Sequence, residues 1–187
     1  MQKLNVILDL DNTLLVSVNL STVSPDVLLN NECAYVSFHP FERYLMVARP
    51  YLRHFLEELN KIANISIWTA ATKEYAKLAV HHFFPKGIRI HKFYTQEDTV
   101  KYLKTTGRMK PIDAALFTFP LYNRCNTFII DDLPDVYKSN PTNTLRIVPY
   151  TEHNIRVDDT ELLTILNTCI DQYYFLNAHG CIKLYHF

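Results

Sequence analysis

Asn5-Val6-Ile7-Leu8-Asp9-Leu10-Asp11-Asn12-Thr13 decides how the chain is read. An apolar run with β-forming side chains closes on two carboxylates placed two residues apart, then on a polar DNT loop. That is the pattern of a buried strand emptying into a loop. Ile65 to Trp68 (ISIW) repeats it and is followed by Thr69, and Thr127 to Ile130 (TFII) is followed by Asp131 and Asp132. Leu145 to Val148 is a weaker fourth run. Continuous rather than alternating apolar residues imply burial on both faces, as in a parallel sheet. Helical stripes lie between the runs. Leu52, Phe55, Leu56, Leu59 and Ile62 follow Pro50, which suits a first helical turn. Thr72–Phe83 places Tyr75, Leu78, Ala79 and His82 on one side, and Asp159–Tyr173 does the same with Leu162, Leu163, Ile165, Leu166 and Ile170. Strands alternating with helices predict an α/β, doubly wound, mostly parallel sheet flanked by helices. In that architecture ligands bind beyond the carboxyl ends of the strands, where Asp9/Asp11, Thr69 and Asp131/Asp132 would gather.

The segment from Val16 to Ala48 breaks the alternation. Tyr35–Phe38 (YVSF) and Arg43–Ala48 (RYLMVA) flank HPFE and read as a small β-hairpin within an insertion over 17–48, placed to overhang the carboxyl edge as a rim. No large cap domain, repeat or linker is evident, so residues 1–187 read as one domain.

Composition narrows the chemistry. The chain carries 19 basic and 19 acidic side chains, for a formal net charge of +0, which argues against nucleic acid as a partner. Its three glycines, Gly87, Gly107 and Gly180, stand far apart, so neither dinucleotide-binding nor P-loop backbone cradles can be written. Any phosphate must be held largely by side chains. The four cysteines lack CxxC or zinc-like spacing and read as free thiols in a reducing compartment, hence an intracellular protein, cytoplasmic or nuclear. The apolar stretch from Leu4 to Leu20 is interrupted by Asp9 and Asp11, which does not suit a signal peptide. No uncharged apolar run approaches the ~18 residues of a membrane span. Rich use of Asn, Lys, Ile, Tyr and Phe suggests an AT-rich genome, such as that of a large DNA virus or a protist.

Two carboxylates at DxDxT spacing suit a divalent cation and a split of nucleophile and proton-donor roles, although a calcium-type or solvated loop fits the string alone. LDLDNTLL, IWTA, the lysine of VKYL and IIDD occur in an order that resembles the haloacid-dehalogenase superfamily of phosphatases. RPYLRHFLEEL, SIWTAATKEYAKLAV, TVKYLKTTGR, FIIDDLPDVYKSNPTNTLRIVPY and DDTELL resemble, more narrowly, the C-terminal-domain phosphatases, which include the small phosphatases and NLI-interacting-factor-like proteins. The likeness runs from Val6 to about Ile170.

The resemblance implies a Mg²⁺-dependent phosphatase acting on phosphoserine or phosphothreonine in proteins. Asp9 would be the nucleophile and Asp11 the general acid, then base, with Thr13 orienting Asp11. Thr69, Ala70 at the turn into the next helix, Asn12 and Lys101 would hold the phosphate, Lys101 also gripping Asp9. Asp9, Asp11 through its backbone carbonyl, Asp131 and Asp132 would hold Mg²⁺, with Asp135 competing for the place of Asp132. On residues alone Thr69 also fits a helix cap, and Lys101, with Lys104 and Lys110 nearby, also fits a solvated surface charge. The chain departs from the family at Asn12, where glutamate is usual. It departs again at Leu15-Val16, in place of Val-His, and at Phe93-Tyr94-Thr95, which lacks the arginine of polymerase-tail phosphatases. Two rivals remain: a nucleic-acid 3′-phosphatase or small-molecule phosphatase of the same superfamily, and a non-catalytic binding module.

Overall fold

Leu4–Leu8 (β1) is buried at every position, as its unbroken apolar run predicts. In the computed structural model, which describes residues 1–19, 21, 33–39, 42–155 and 158–184 (backbone only for 33–39, 42 and 43), this strand lies at the centre of the main sheet. Ala63–Trp68 (β5) pairs with it on one side and Thr127–Asp131 (β7) on the other, both parallel. Ile90–Tyr94 (β6) and Thr144–Arg146 (β8) extend the sheet outward in the order β6-β5-β1-β7-β8. The chain therefore winds one way from β1 through β5 to β6, then returns to the far side of β1. That reversal makes the crevice beyond the end of β1 the topological switch point, where doubly wound sheets bind ligands.

Alternate residues of β1 serve opposite layers. Leu4, Val6 and Leu8 pack with Leu52, Phe55, Leu56 and Leu59 of α1 (Leu52–Ile62) and with Leu162, Ile165 and Leu166 of α6 (Glu161–His179). Ile7 packs on the other face with Trp68, Ile112, Ala115 and Ile129. Full burial of such side chains stabilises the fold by about 1.5–3 kcal/mol each before chain entropy is charged. Three further helices lie between these elements: α2 (Lys73–Phe83), α3 (Gln96–Thr106) and α4 (Asp113–Thr118), with α5 (Pro134–Ser139) following β7. Apolar periodicity locates α1, α2 and α6. It misses α3, of which only Thr99 is buried, and β6, an edge strand with only Tyr94 buried.

The insertion is larger in strands than expected. β3 (Cys33–His39) and β4 (Glu42–Ala48) form the predicted hairpin, and β2 (Leu15–Asn19) pairs antiparallel with the other side of β4 to give a three-stranded sheet. The cause is burial. Val16 and Val18 of β2 join Leu45 and Val47 of β4 over Tyr150 and Ile155, a small core of its own. Arg49 then ties the insertion's exit to the rest. It is buried, its guanidinium pairs with Asp159 at 2.9 Å, and it donates to the Thr13 carbonyl at 3.1 Å. No helix among the described residues is long and apolar enough to cross a membrane.

The free-thiol expectation is corrected at two positions. Cys125 and Cys181 are joined by a disulfide across 56 residues of sequence, and Ile182 N–H donates to the Cys125 carbonyl at 2.8 Å. Cys169 is a free, buried thiol whose pKa burial pushes up to about 12, so it is inert. By the loop-entropy relation, opening the loop that the disulfide closes costs roughly 4 kcal/mol of stability. Non-reducing peptide mapping should recover the Cys125–Cys181 pair. Cys125→Ser or reduction should lower the urea midpoint, and an unchanged midpoint would show the pair unformed in solution.

Candidate active site

Parallel pairing of β1 with β7 brings their carboxyl ends side by side, and the residues there are acidic. Asp9 follows β1, Asp131 ends β7 and Asp132 follows it; all three are buried. Ligand oxygens of the three lie within 4.8 Å of one another. Between Asp9 and Asp131 sits the ammonium of Lys110, fully buried, with Nζ 2.5 Å from Asp9 Oδ1 and 2.7 Å from Asp131 Oδ2. Lys110 arrives from the turn between α3 and α4 with φ of 44°, a left-handed backbone rare for a side chain that precedes proline. Asn140 holds that turn. Its side chain donates to the Lys110 carbonyl at 3.0 Å and accepts from Ile112 N–H at 2.8 Å. Leu133 N–H donates to Asp131 Oδ1 at 2.9 Å, which fixes the second face of that carboxylate.

The expectation for Lys101 is corrected. Lys101 is exposed on α3, its Nζ over the Tyr102 ring at 5.5 Å, and Lys110 occupies the place beside Asp9 that the resemblance gives to Lys101. The VKYL string points to a helix whose lysines face water. The available signal is Lys110-Pro111, a turn between the apolar Met109 and Ile112, where a lysine is carried inward. Thr13 differs as well. Its hydroxyl donates to Asp132 Oδ1 at 3.2 Å, and Asp11 Oδ1 instead accepts from the Tyr75 hydroxyl. Helical periodicity assigns Tyr75 only to the packing face of its helix.

The remaining residues fall in or out of the cluster plainly. Thr69, buried after β5, accepts from Ala71 N–H at 3.0 Å, while Ala70 stands exposed at the turn into α2. Asn12 has a φ of 59°; its N–H is taken by the Leu15 carbonyl, leaving its side chain for any phosphate contact. The carboxyl of Asp11 is not one of the three that converge. Asp135 lies on the surface of α5, paired with Lys138 at 2.9 Å.

Four carboxylates against one ammonium leave the site short of positive charge. Burial pushes Asp9 up to about 8, with repulsion from Asp131 and Asp11 adding and the attraction of Lys110 opposing. Burial also raises Asp11, opposed by hydrogen bonds from Tyr75 and Thr69, and raises Asp132, with Asp131 adding. For Lys110, burial favours the neutral amine, but Asp9 and Asp131 outweigh it and raise its pKa. A hard divalent cation that prefers oxygen ligands fits this donor set: three converging, buried carboxylates with excess negative charge.

A model of the NLI interacting factor-like phosphatase family matches residues 4–176. The chain belongs to this family. A phosphatase-family relative, the putative CTD phosphatase-like protein 355R of Invertebrate iridescent virus 6, is 29% identical over 156 residues, covering 78% of this chain and 85% of its own. The ubiquitin-like domain-containing CTD phosphatase 1 of Drosophila melanogaster is 27% identical over 149 residues, covering 76% of this chain but 45% of its own. The solved structure of Fcp1, an essential RNA polymerase II CTD phosphatase, superposes with a TM-score of 0.69 at 20% identity, over 97% of this chain and 68% of that one. This likeness establishes the fold, a mostly parallel α/β sheet flanked by helices.

Two measurements test the charge arrangement of this family member. Lys110→Met should destabilise the fold by about 3–5 kcal/mol, because it strands buried carboxylates, while Lys101→Ala should stay within about 0.5 kcal/mol. Equal effects in urea denaturation would contradict the assignment. Because the folded state raises Asp9 from 3.8 to about 8, it keeps a proton that the unfolded chain releases, and stability of the metal-free protein falls as pH rises across that window. Mg²⁺ should therefore raise the thermal midpoint more at pH 8 than at pH 5; a larger shift at pH 5 would contradict the shared site.

Proposed function

We propose that the chain is a Mg²⁺-dependent phosphomonoester hydrolase acting on phosphoserine or phosphothreonine in proteins, through an aspartyl-phosphate at Asp9. The observation that carries this reading is the Lys110 ammonium bridging Asp9 and Asp131 at the switch point of the sheet, with Asp11 two residues beyond. A carboxylate nucleophile and a phosphate dianion repel, so their approach needs fixed cations in a dry site. Lys110 supplies one. Mg²⁺ held by Asp9, Asp131 and Asp132, with the Asp11 carbonyl, would supply further charge neutralisation on the phosphate and favour ionised Asp9.

The side chains perform the rest. The Asp9 carboxylate attacks phosphorus, the bond from phosphorus to the serine or threonine oxygen breaks, and Asp11 gives that oxygen its proton. Water then attacks the acyl phosphate while Asp11 takes a proton from it, releasing inorganic phosphate and restoring Asp9. Thr69 offers its hydroxyl, and the start of α2 its N–H groups, to the phosphate oxygens. With no large cap domain among the described residues, the site suits a peptide segment better than a small metabolite, and the relatives named above favour a protein substrate. The absence of an arginine in Phe93-Tyr94-Thr95, where polymerase-tail phosphatases offer one, weakens the case for the polymerase tail as that substrate.

Asp9→Asn should lower aryl phosphate hydrolysis by at least about a thousandfold while the protein remains folded by circular dichroism. EDTA should silence the wild type, and added Mg²⁺ should restore it. Phosphopeptides should be turned over well above a 3′-phosphorylated oligonucleotide; the opposite preference would favour the nucleic-acid reading. Full activity in Asp9→Asn would end the mechanism, and a purified protein inert with Mg²⁺ on every phosphate ester would favour a binding module.

A further inference from the structure

Tyr75 is the third residue of α2, and the Thr72 side chain fixes its N–H at 3.3 Å. Its ring is buried, and its hydroxyl donates to Asp11 Oδ1. The same hydroxyl lies 2.8 Å from Ser17 Oγ on β2 of the inserted sheet. β2 alternates, with Val16 and Val18 facing the small core of the insertion. Ser17, between them, faces the opposite way. There it meets Tyr75. The loop carrying Asp11 has a fixed backbone, with Thr13, Leu14 and Leu15 N–H groups all donating to the Leu10 carbonyl. The Asp11 side-chain torsions are the freedom left, and Tyr75, with a weaker hydrogen bond from Thr69, removes it.

We propose that Tyr75, braced by Ser17, is the positioning residue that aims the Asp11 carboxyl at the leaving-group oxygen, which makes the inserted sheet part of the proton-transfer apparatus. This rests on the reading of Asp11 as general acid. A pair of hydroxyls suits the task for a chemical reason. Ser17 Oγ can donate to the phenol oxygen while the phenol donates to Asp11 Oδ1, so Oδ1 is held as an acceptor both while Oδ2 carries the proton for the leaving group and after that proton has gone. A phenylalanine at position 75 would fill the same space and leave Asp11 held by Thr69 alone.

A general acid matters most where the leaving group is a poor one, so the test compares kcat/KM for phenyl phosphate and for 4-nitrophenyl phosphate with Mg²⁺ present. Tyr75→Phe should lose about tenfold or more on phenyl phosphate and less than about threefold on 4-nitrophenyl phosphate, a fraction of what a general acid contributes in full. Asp11→Asn should show the same bias, larger. Ser17→Ala should show a weaker bias and Ser17→Thr should restore the wild-type ratio. A purely structural tyrosine would lower both substrates equally. Equal losses in Tyr75→Phe beside a biased Asp11→Asn would overturn the positioning role and leave the acid in place. An unbiased Asp11→Asn would overturn both. If Tyr75→Phe does not fold, Ser17→Ala and its threonine rescue carry the same comparison, since Ser17 is half-buried.

Discussion

One ammonium among buried carboxylates is the constraint on which the rest of this structure depends. Two unit charges ~4 Å apart interact by about 4 kcal/mol at an effective dielectric constant near 20, so Asp9 and Asp131 cannot sit side by side uncompensated. The sheet order forces them together, because β1 and β7 are parallel neighbours whose carboxyl ends coincide. Lys110 makes the juxtaposition tolerable, and the fold invests in delivering it. A left-handed residue before a proline is unfavourable, and a buried Asn140 holds that turn through both ends of its amide. Strained backbone supporting a buried charge in this way concentrates at functional sites.

What can be read from sequence follows the same physics. β1, β5 and β7 announce themselves because burial on both faces demands unbroken apolar runs, and the polar residues that end them, Asp9, Thr69 and Asp131, are visible for the same reason. Lys110 is not. Its role comes from a turn conformation, signalled locally only by the Lys110-Pro111 pair between apolar neighbours, and from Asn140, which is distant in sequence. Lys101, by contrast, sits in a string that looks like a motif and on a helix that faces water. Tyr75 is hidden differently: helical periodicity explains a buried tyrosine without reference to its hydroxyl. β2 merges with the motif loop before it, β6 has an edge strand's thin burial, and the Cys125–Cys181 pair depends on how α6 and the segment after it return to the start of β7.

The scarcity of glycine acquires a physical meaning from the site. A backbone cradle for phosphate needs closely spaced glycines, and this chain has none. On the proposed function, the apparatus it carries instead is made of side chains: Lys110 beside Asp9, Thr69 just after β5, and Asp11 bonded to a tyrosine that the insertion's Ser17 also contacts. The net charge of +0 conceals this concentration of acid at a single edge of the sheet. The inserted sheet, which at first reads as a rim for substrate, is tied through Ser17 to Tyr75 and, through Arg49, to the loop after β1.

The most direct test of the central claim is to trap the intermediate. Wild-type protein mixed with substrate and Mg²⁺, acid-quenched and treated with borohydride, should yield homoserine in place of aspartate at position 9 on peptide mass analysis, because borohydride reduces an acyl phosphate and spares a free carboxylate. Conversion at Asp9 alone, lost when substrate is omitted, is the predicted result. Conversion at another residue, or turnover with no conversion anywhere, would contradict the account of Asp9 as the nucleophile held by Lys110.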